Sequence, residues 1–240
     1  MMNLTPTGIE GLGEILNGGL VSESSVLVSG NPGTGKTIFG IQYLYNGVRE
    51  FEEAGVYLTF EENASDIREA AESLGFDEWG GLVESGEITV YDKERLLREE
   101  DFSATLDDLL TEFEETGYDR LVVDSLTMLS LFFDTEREKR TYLLKLSDIL
   151  KRNGLTTLFI AEQGARFPDW EVGLENFLTD GNIYLIQTPT DSGVNRYVWV
   201  AKMRKQAIET DIFPIEIDAG GIRVHDRAGG FSLMGDEEAF

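Results

Sequence analysis

Eight consecutive residues carry the most specific chemistry in this chain. They are Gly30, Asn31, Pro32, Gly33, Thr34, Gly35, Lys36 and Thr37, and they satisfy the pattern G-x-x-x-x-G-K-[ST]. The glycines let the backbone curl so that several N–H groups point inward, where they can bind the phosphates of a nucleotide. Lys36 would add a point charge for the β- and γ-phosphates, and the hydroxyl of Thr37 would bind Mg2+. A glycine-rich turn formed by coincidence is the alternative, and the predicted strand before the motif and helix after it argue against that.

A carboxylate, Asp124, directly follows the apolar run Leu121–Val123. A buried strand of a parallel sheet delivers the residue after it to the carboxyl edge of the sheet, where a phosphate loop also opens. We therefore expect Asp124 to anchor the Mg2+ ion, either directly or through a water molecule. Taken alone, an Asp after an apolar strand is often a helix cap, so this assignment depends on the phosphate loop.

Two glutamates, Glu61 and Glu62, follow the predicted strand Val56–Phe60. If that strand neighbours the strand before the phosphate loop, one glutamate can polarise the water that attacks the γ-phosphate. We predict that Glu61 is this base and that Glu62 assists or orients it. The alternative is that both are caps or solvated ends of the following helix.

The densest basic run of the chain, Lys202-Met203-Arg204-Lys205, begins at the last residue of the predicted strand Arg196–Lys202. Positions two apart share a face of a strand, so Lys202 and Arg204 would project together. Two cations aimed together suit a γ-phosphate, and such residues can act across a subunit boundary like an arginine finger. The alternative is that they pair with surface carboxylates of their own subunit.

Short apolar strands alternate with amphipathic helical stretches, the pattern of a parallel sheet covered on both faces. The predicted early strands are Ser25–Ser29, Val56–Phe60, Glu87–Tyr91, Leu121–Val123 and Leu155–Ala161, and the main predicted helices are Lys36–Arg49, Ser65–Leu74 with Ser65 as N-cap, and Thr135–Arg152. From Ile183 onward the predicted strands are joined by turn-rich links without a helix. We therefore predict an α/β fold, with a mostly parallel twisted sheet flanked by helices and extended by C-terminal antiparallel hairpins. Residues 1–240 are expected to form one domain, with a tail from about 227 to 240.

The charge of the chain is strongly negative and unevenly distributed. There are 45 Asp and Glu residues against 20 Lys and Arg, a net charge of −25, and residues 50–119 hold 23 acidic and 4 basic residues. Most of this surface would repel a phosphate backbone, which disfavours nucleic acid as a partner. Two explanations for the acidic stretch remain open: a solvated surface adapted to a salty cytoplasm, as in halophiles, or a face that docks a basic protein partner.

Composition also excludes several kinds of site. With no cysteine and one histidine, the chain has no disulfide, no Cys nucleophile and no cluster of His ligands. No apolar run reaches the length of about 18 residues that a membrane-spanning helix needs, and the start MMNLTPTGIE lacks the pattern of a secretion signal. We therefore expect a cytoplasmic protein without membrane contacts.

The order of these motifs resembles the RecA-type ATPases, and within them the KaiC-like group. The segments that carry the resemblance are TGIEGLGEILNGGL, SSVLVSGNPGTGKT, VYLTFEEN, RLVVDSL and AKMR. The resemblance implies a RecA-type P-loop NTPase fold and hexameric rings of identical subunits, with ATP and Mg2+ bound between subunits. It also implies that Glu61 and Glu62 act on the attacking water, and that Lys202 and Arg204 reach into the site of the neighbouring subunit.

The chain also departs from the clock members of this family. Those members have two such domains in tandem and phosphorylate their own Ser and Thr side chains just before a Thr-Asp pair. Here Asn176 and Phe177 precede Thr179 and Asp180, so autokinase activity by that route is not expected. The histidine that follows the Lys-x-Arg pair in those members is replaced here by Ile208.

Taken together, these features predict a protein that binds and hydrolyses ATP, assembles with itself and works as a regulator or switch. Two other functions remain open. One is a nucleotide-gated interaction module with negligible hydrolysis, whose acidic stretch docks a partner. The other is an ATPase of DNA recombination or repair.

Overall fold

A nine-stranded sheet forms the centre of the part of the chain that the computed structural model describes, which is residues 3–93, 108–109, 111–113, 115–133, 135–165, 167–170, 172–190 and 193–225. Two short strands, β1 (Leu4–Thr5) and β2 (Leu20–Val21), pair separately near the N-terminus. The strands of the large sheet are β3 (Ser25–Gly30), β4 (Gly55–Thr59), β5 (Ile88–Tyr91), β6 (Arg120–Asp124), β7 (Thr156–Glu162), β8 (Gly181–Thr190), β9 (Gly193–Met203), β10 (Ile212–Asp218) and β11 (Gly221–Val224). The predicted tail at 227–240 and part of the acidic stretch at 50–119 lie outside the described residues.

The sheet is parallel in its first part and antiparallel in its last. Its strand order is β11-β10-β9-β8-β3-β7-β6-β4-β5. Neighbours from β8 to β5 in this order run parallel, whereas β9, β10 and β11 are joined as antiparallel hairpins. The predicted fold class is therefore confirmed. One conditional expectation is wrong, because β4 does not neighbour β3: β7 and β6 lie between them.

Helices cover both faces of this sheet. Those whose bounds lie within the described residues are α1 (Leu12–Ile15), α2 (Lys36–Phe51), α3 (Ala64–Ser73), α4 (Trp79–Ser85), α5 (Leu126–Leu129), α6 (Glu136–Arg152) and α7 (Leu174–Leu178), with a 3-10 turn at Ser130–Phe132. Successive side chains of a β-strand point to opposite faces of the sheet, so they alternate between two hydrophobic cores, one on each face. Val26 and Val28 pack with Phe39 and Leu44 of α2 on one face, while Leu27 belongs to the cluster on the other face.

The boundaries of the helices follow from capping chemistry. The side chain of Thr135 accepts a hydrogen bond of 3.2 Å from the backbone N–H of Glu138, which starts α6. The predicted cap of α3 is wrong: Ser65 lies inside the helix, and Asn63 is the N-cap. The backbone N–H of Asn63 donates to the carboxylate of Asp66 at 3.2 Å, a partner three residues ahead that single-residue preferences do not show.

A buried arginine ties the N-terminal segment to the sheet. Arg120, fully buried at the start of β6, donates to Glu53 at 2.6 Å and to the backbone oxygens of Tyr43 and Pro6, each at 2.8 Å. Gly47 in α2 leaves the room for it, because a Cβ there would lie 2.6 Å from Cδ of Arg120. Among the described residues, no helix has both the length and the apolar character needed to cross a membrane.

Candidate nucleotide site

The loop between β3 and α2 has the backbone conformation of a phosphate cradle. Gly33 and Gly35 adopt φ angles of 81° and 99°, in the left-handed region that glycine enters without steric cost. Helix α2 begins at Lys36, and the N–H groups of its first turn have no partner within the helix. These N–H groups and the positive end of the helix dipole favour an anion at this point.

Contacts to neighbouring strands hold the loop in place. The side-chain amide of Asn31 donates to the backbone oxygens of Gln163 and Ala165 at 2.8 and 2.9 Å. On the other side, the amide of Gln187 donates to the oxygen of Pro32 at 3.0 Å. The loop is therefore fixed to the ends of both strands that flank β3, which preserves its shape before a ligand arrives.

The amino group of Lys36 is buried at the centre of the loop. It donates to the backbone oxygen of Asn31 at 3.1 Å, and the residue is only 9% exposed. Burial lowers the pKa of Lys36, while the nearby carboxylates of Glu162, Asp124 and Glu61 act in the opposite direction. A nucleotide phosphate could replace the backbone oxygen as the partner of this cation without a large movement.

Thr37 and Asp124 meet at the base of the loop. The hydroxyl of Thr37 donates to Oδ2 of Asp124 at 3.1 Å, and the hydroxyl of Tyr57 donates to the same oxygen at 2.7 Å. Burial raises the pKa of Asp124, and the hydrogen bonds from Tyr57 and Thr37 act to lower it. A hydroxyl that donates to a carboxylate still has lone pairs for a cation.

This donor set fits Mg2+. No cluster of three or more His, Cys, Asp or Glu residues suited to a metal ion occurs in the described ranges. Mg2+ does not need one, because it is usually bound by one or two protein oxygens and completes its shell with water and substrate phosphates. Thr37 and Asp124 would supply the protein oxygens here.

Of the two adjacent glutamates, Glu61 lines the cleft and Glu62 lies beside it. Oε1 of Glu61 accepts a hydrogen bond of 2.5 Å from the hydroxyl of Ser125, the residue after Asp124. The hydroxyl of Thr59 accepts from the backbone N–H groups of Glu61 and Glu62 at 3.3 and 3.0 Å, which fixes the turn after β4. Burial raises the pKa of Glu62, and the charge of Asp124 adds to that effect.

A cleft of about 430 Å³ joins these groups. Its lining residues are Pro32, Gly33, Gly35, Lys36, Thr37, Ile38, Glu61, Asp124, Ser125, Glu162, Arg196 and Ile217. Tyr57, which lies behind Asp124, and the lining residues Ser125, Arg196 and Ile217 are not predicted from the sequence. Arg196 lies on β9 with its Nε 3.4 Å from the backbone oxygen of Gly33, a contact that depends on the strand order and has no local sequence signal.

The predicted cations Lys202 and Arg204 lie at the opposite edge of the sheet. Lys202 pairs with Asn182, near the start of β8, and its amino group donates to the backbone oxygens of Asn176 and Thr179 at 2.9 and 2.5 Å. Both accepting residues are at the C-terminal end of α7, where a helix presents unpaired carbonyls and attracts cations.

Arg204 follows the last residue of β9 and reaches the same helix end. Its guanidinium donates to the backbone oxygen of Phe177 at 3.0 Å and lies 3.6 Å from a carboxylate oxygen of Asp180. The structure therefore brings the two side chains together and also shows a pair with a carboxylate of the same subunit. Neither cation lines the cleft at the phosphate loop.

Comparison with known proteins agrees with this geometry. A family model described as the KaiC ATPase matches residues 5–229. The circadian clock oscillator protein KaiC of Synechococcus elongatus is 33% identical over 91% of this chain and 43% of its own length, and that of Thermostichus vulcanus is 31% identical over 90% and 43%. The chain thus spans less than half the length of these relatives.

Among solved structures, a KaiC-like protein from the archaeon Pyrococcus horikoshii OT3 superposes with a TM-score of 0.83. It is 32% identical, and the match covers 94% of this chain and 100% of that one. The fold, the position of the phosphate loop and the extent of the sequence match lead to one conclusion: the chain belongs to the KaiC family of RecA-type ATPase domains.

Proposed function

We propose that this protein is a cytoplasmic Mg2+-dependent ATPase that assembles into a hexameric ring and works as a nucleotide-controlled switch. One observation carries the proposal: Lys36, Thr37, Asp124 and Glu61, which come from three separate parts of the chain, line one cleft at the carboxyl edge of the parallel sheet. A cation, a hydroxyl and two carboxylates in that arrangement are the parts that hydrolysis of a nucleoside triphosphate requires.

Each side chain has a separate task in this proposal. The N–H groups of the loop and the amino group of Lys36 bind the phosphates. Thr37 and Asp124 hold the metal, and Mg2+ when bound neutralises negative charge on the phosphate oxygens. Glu61 orients the attacking water and accepts its proton, because its carboxylate lines the cleft whereas that of Glu62 does not. Glu62 supports the position of Glu61.

The position of Lys202 and Arg204 supports an active site shared between subunits. Both cations lie on the edge of the sheet opposite the phosphate loop of their own chain, bound to the end of α7. A neighbour that presents its phosphate loop to this edge would meet two positive charges. The sign of these charges suits the developing charge on a transferred phosphoryl group.

The role as a switch rests on the relatives. Two of them are named circadian clock oscillator proteins, and each is more than twice the length of the match to this chain. We infer a regulatory output for this chain by analogy with that name, because the cleft itself specifies only the nucleotide chemistry.

The direct test measures phosphate release with ATP and Mg2+. The wild type should turn over, Glu61→Gln should lose about 10²-fold or more of the rate, and both should bind nucleotide equally. Glu10→Gln changes an exposed glutamate that does not line the cleft; it is the control and should keep the wild-type rate. Absence of Mg2+-dependent turnover in the wild type would refute the ATPase proposal.

A second outcome of this test would favour an interaction module. If the wild type binds ATP with Mg2+ but releases no phosphate, the nucleotide acts as a ligand that sets the conformation. The excess of acidic residues between 50 and 119 then points to a basic protein partner, and its binding should depend on ATP and weaken with salt.

A further inference from the structure

A buried tyrosine lies directly behind the proposed metal ligand. Tyr57 is at the middle of β4, fully buried, between the apolar residues Val56 and Leu58. Strand β4 pairs with β6, and Thr59 lies opposite Asp124 at the point where both strands end. Tyr57 is two residues before that point. Its hydroxyl is 2.7 Å from Oδ2 of Asp124.

The presence of a hydroxyl at this position needs an explanation, because burial alone does not favour a polar group. A buried hydroxyl loses its hydrogen bonds to water and stabilises the fold only if it finds a partner. Phenylalanine would fill the same space without that cost. The partner that offsets this cost is Asp124, because the hydroxyl of Tyr57 donates its hydrogen bond to that carboxylate.

The hydrogen bonds to Asp124 all fall on one of its two oxygens. Oδ2 accepts from Tyr57 at 2.7 Å and from Thr37 at 3.1 Å, and in the described parts of the chain Oδ1 accepts none. Two donors on a single oxygen fix the rotation of a carboxylate about its last bond. They also leave the other oxygen with its full capacity to bind a cation or a water molecule.

We propose that Tyr57 is a positioning residue that fixes the carboxylate of Asp124 for Mg2+. The inference rests on the proposed function in that the cleft binds a nucleotide with Mg2+, but it does not require hydrolysis. Groups that hydrogen-bond to a metal ligand without touching the metal commonly change metal affinity by about 10- to 100-fold. Tyr57 is in this position with respect to Asp124.

The test compares Tyr57→Phe with Tyr43→Phe. Tyr43 is also fully buried, and its hydroxyl donates to the backbone oxygen of Thr156 at 3.2 Å, away from the cleft. Both variants therefore lose one buried hydroxyl, but only one of them affects Asp124. Binding of a fluorescent ATP analogue is measured in EDTA and across a titration of Mg2+, together with the melting temperature of each variant.

Tyr57→Phe should need about 10-fold more Mg2+ for half-maximal enhancement of binding, while its affinity in EDTA stays within about 2-fold of the wild type. Tyr43→Phe should show the wild-type response to Mg2+ even if its melting temperature falls. The inference is overturned if Tyr57→Phe keeps the wild-type Mg2+ response, if both variants change it equally, or if nucleotide binding by the wild type does not respond to Mg2+.

A second comparison tests whether Tyr57 acts through the carboxylate of Asp124. In an Asp124→Asn background, the carboxylate that Tyr57 orients is already absent. Adding Tyr57→Phe there should change the Mg2+ response by less than about 2-fold, since the two changes act through one interaction. A full 10-fold effect in that background would show that Tyr57 acts on the metal in some other way. Because binding is measured without turnover, loss of phosphate release in the wild type would refute the ATPase proposal and leave this result intact.

Discussion

The hydroxyl of Thr37 lies 3.1 Å from a carboxylate oxygen of Asp124, a residue 87 positions later in the chain. Thr37 is in the first turn of α2, and Asp124 is the last residue of β6. The contact exists because β6 and β3 are both parallel to β7, which lies between them, so that their carboxyl ends reach the same edge. In the proposed site the two side chains hold Mg2+ together, so loss of either one should weaken the binding of Mg2+.

Removing the hydroxyl of Thr37 should therefore weaken the response to Mg2+. Thr37→Ala should raise the Mg2+ concentration for half-maximal nucleotide binding by about 10-fold or more, whereas Thr37→Ser should stay near the wild type. The titration used for Tyr57 measures both variants. An equal defect in the serine and alanine variants would show that the methyl group, and not the hydroxyl, is required.

Loss of the Lys36 amino group should weaken nucleotide binding itself. Lys36→Ala should lower affinity by about 10- to 100-fold in EDTA as well as in Mg2+, the loss expected when a hydrogen bond to a charged group worth ~1.5–3 kcal/mol is removed. Lys145→Ala is the matched control, because Lys145 is an exposed lysine of α6 outside the cleft. Similar affinities for the two variants would contradict the assignment of the phosphate loop.

The shared active site should appear as rescue between two inactive proteins. The Lys36→Ala variant lacks a working phosphate loop but keeps Lys202 and Arg204. The double variant Lys202→Ala/Arg204→Ala keeps the phosphate loop but lacks both cations. If the cations act on the neighbour, mixing the two should restore about a quarter of the wild-type rate, because about one interface in four combines the two intact parts. A mixture that stays inactive, although a labelled pair shows co-assembly, would place the cations outside the active site.

The buried arginine should matter for stability. Arg120→Ala should lower the free energy of unfolding by about 3–5 kcal/mol, since it leaves Glu53 and two backbone oxygens without their partner and opens a cavity. Arg223→Ala removes an exposed pair with Glu10 and should cost less than about 1 kcal/mol. Urea denaturation of both variants compares the two losses, and equal losses would contradict the structural role of Arg120.

The acidity of Glu62 gives a pH dependence with a definite sign. Burial raises the pKa of Glu62, so the folded state binds its proton more tightly than the unfolded state does. Stability from this group is therefore present below the unfolded pKa and is lost as pH rises through the folded value. Glu62→Gln should stabilise the protein at pH 8 by less than about 1 kcal/mol, since the group is partly exposed, and the gain should vanish near pH 4. A gain that is equal at both pH values would mean that the charge is not its source.

Local patterns predicted part of the site, and the strand order supplied the rest. Lys36 and Thr37 follow from a contiguous motif, and Asp124 and Glu61 from strand ends. The contact of Tyr57 with Asp124 depends on β4 lying beside β6, which no pattern within either strand specifies. The same holds for Arg196, which reaches Gly33 only because β9 folds back on β8.

The edges of secondary structure were predictable where the signal lies within a few residues. Thr135 was predicted at the start of the long helix, and it is the cap. The N-cap of α3 lies two residues before the predicted one, because Asn63 and Asp66 interact across the first turn and single-residue preferences do not show that interaction. Helix α4 and the short β1–β2 pair were not predicted, since each is too short for a periodic pattern.

The separation of the phosphate loop from Lys202 and Arg204 gives each protomer a direction. In the proposed ring, one edge of the sheet would bind a nucleotide and the other would supply the charges that complete the neighbour's site, so association would be head to tail. A linear row of n protomers then contains n−1 complete sites, with one bare phosphate loop at one end and one unused pair of cations at the other. Closing the row would complete the last site without any new residue. Nucleotide binding would therefore favour the closed ring over the open row.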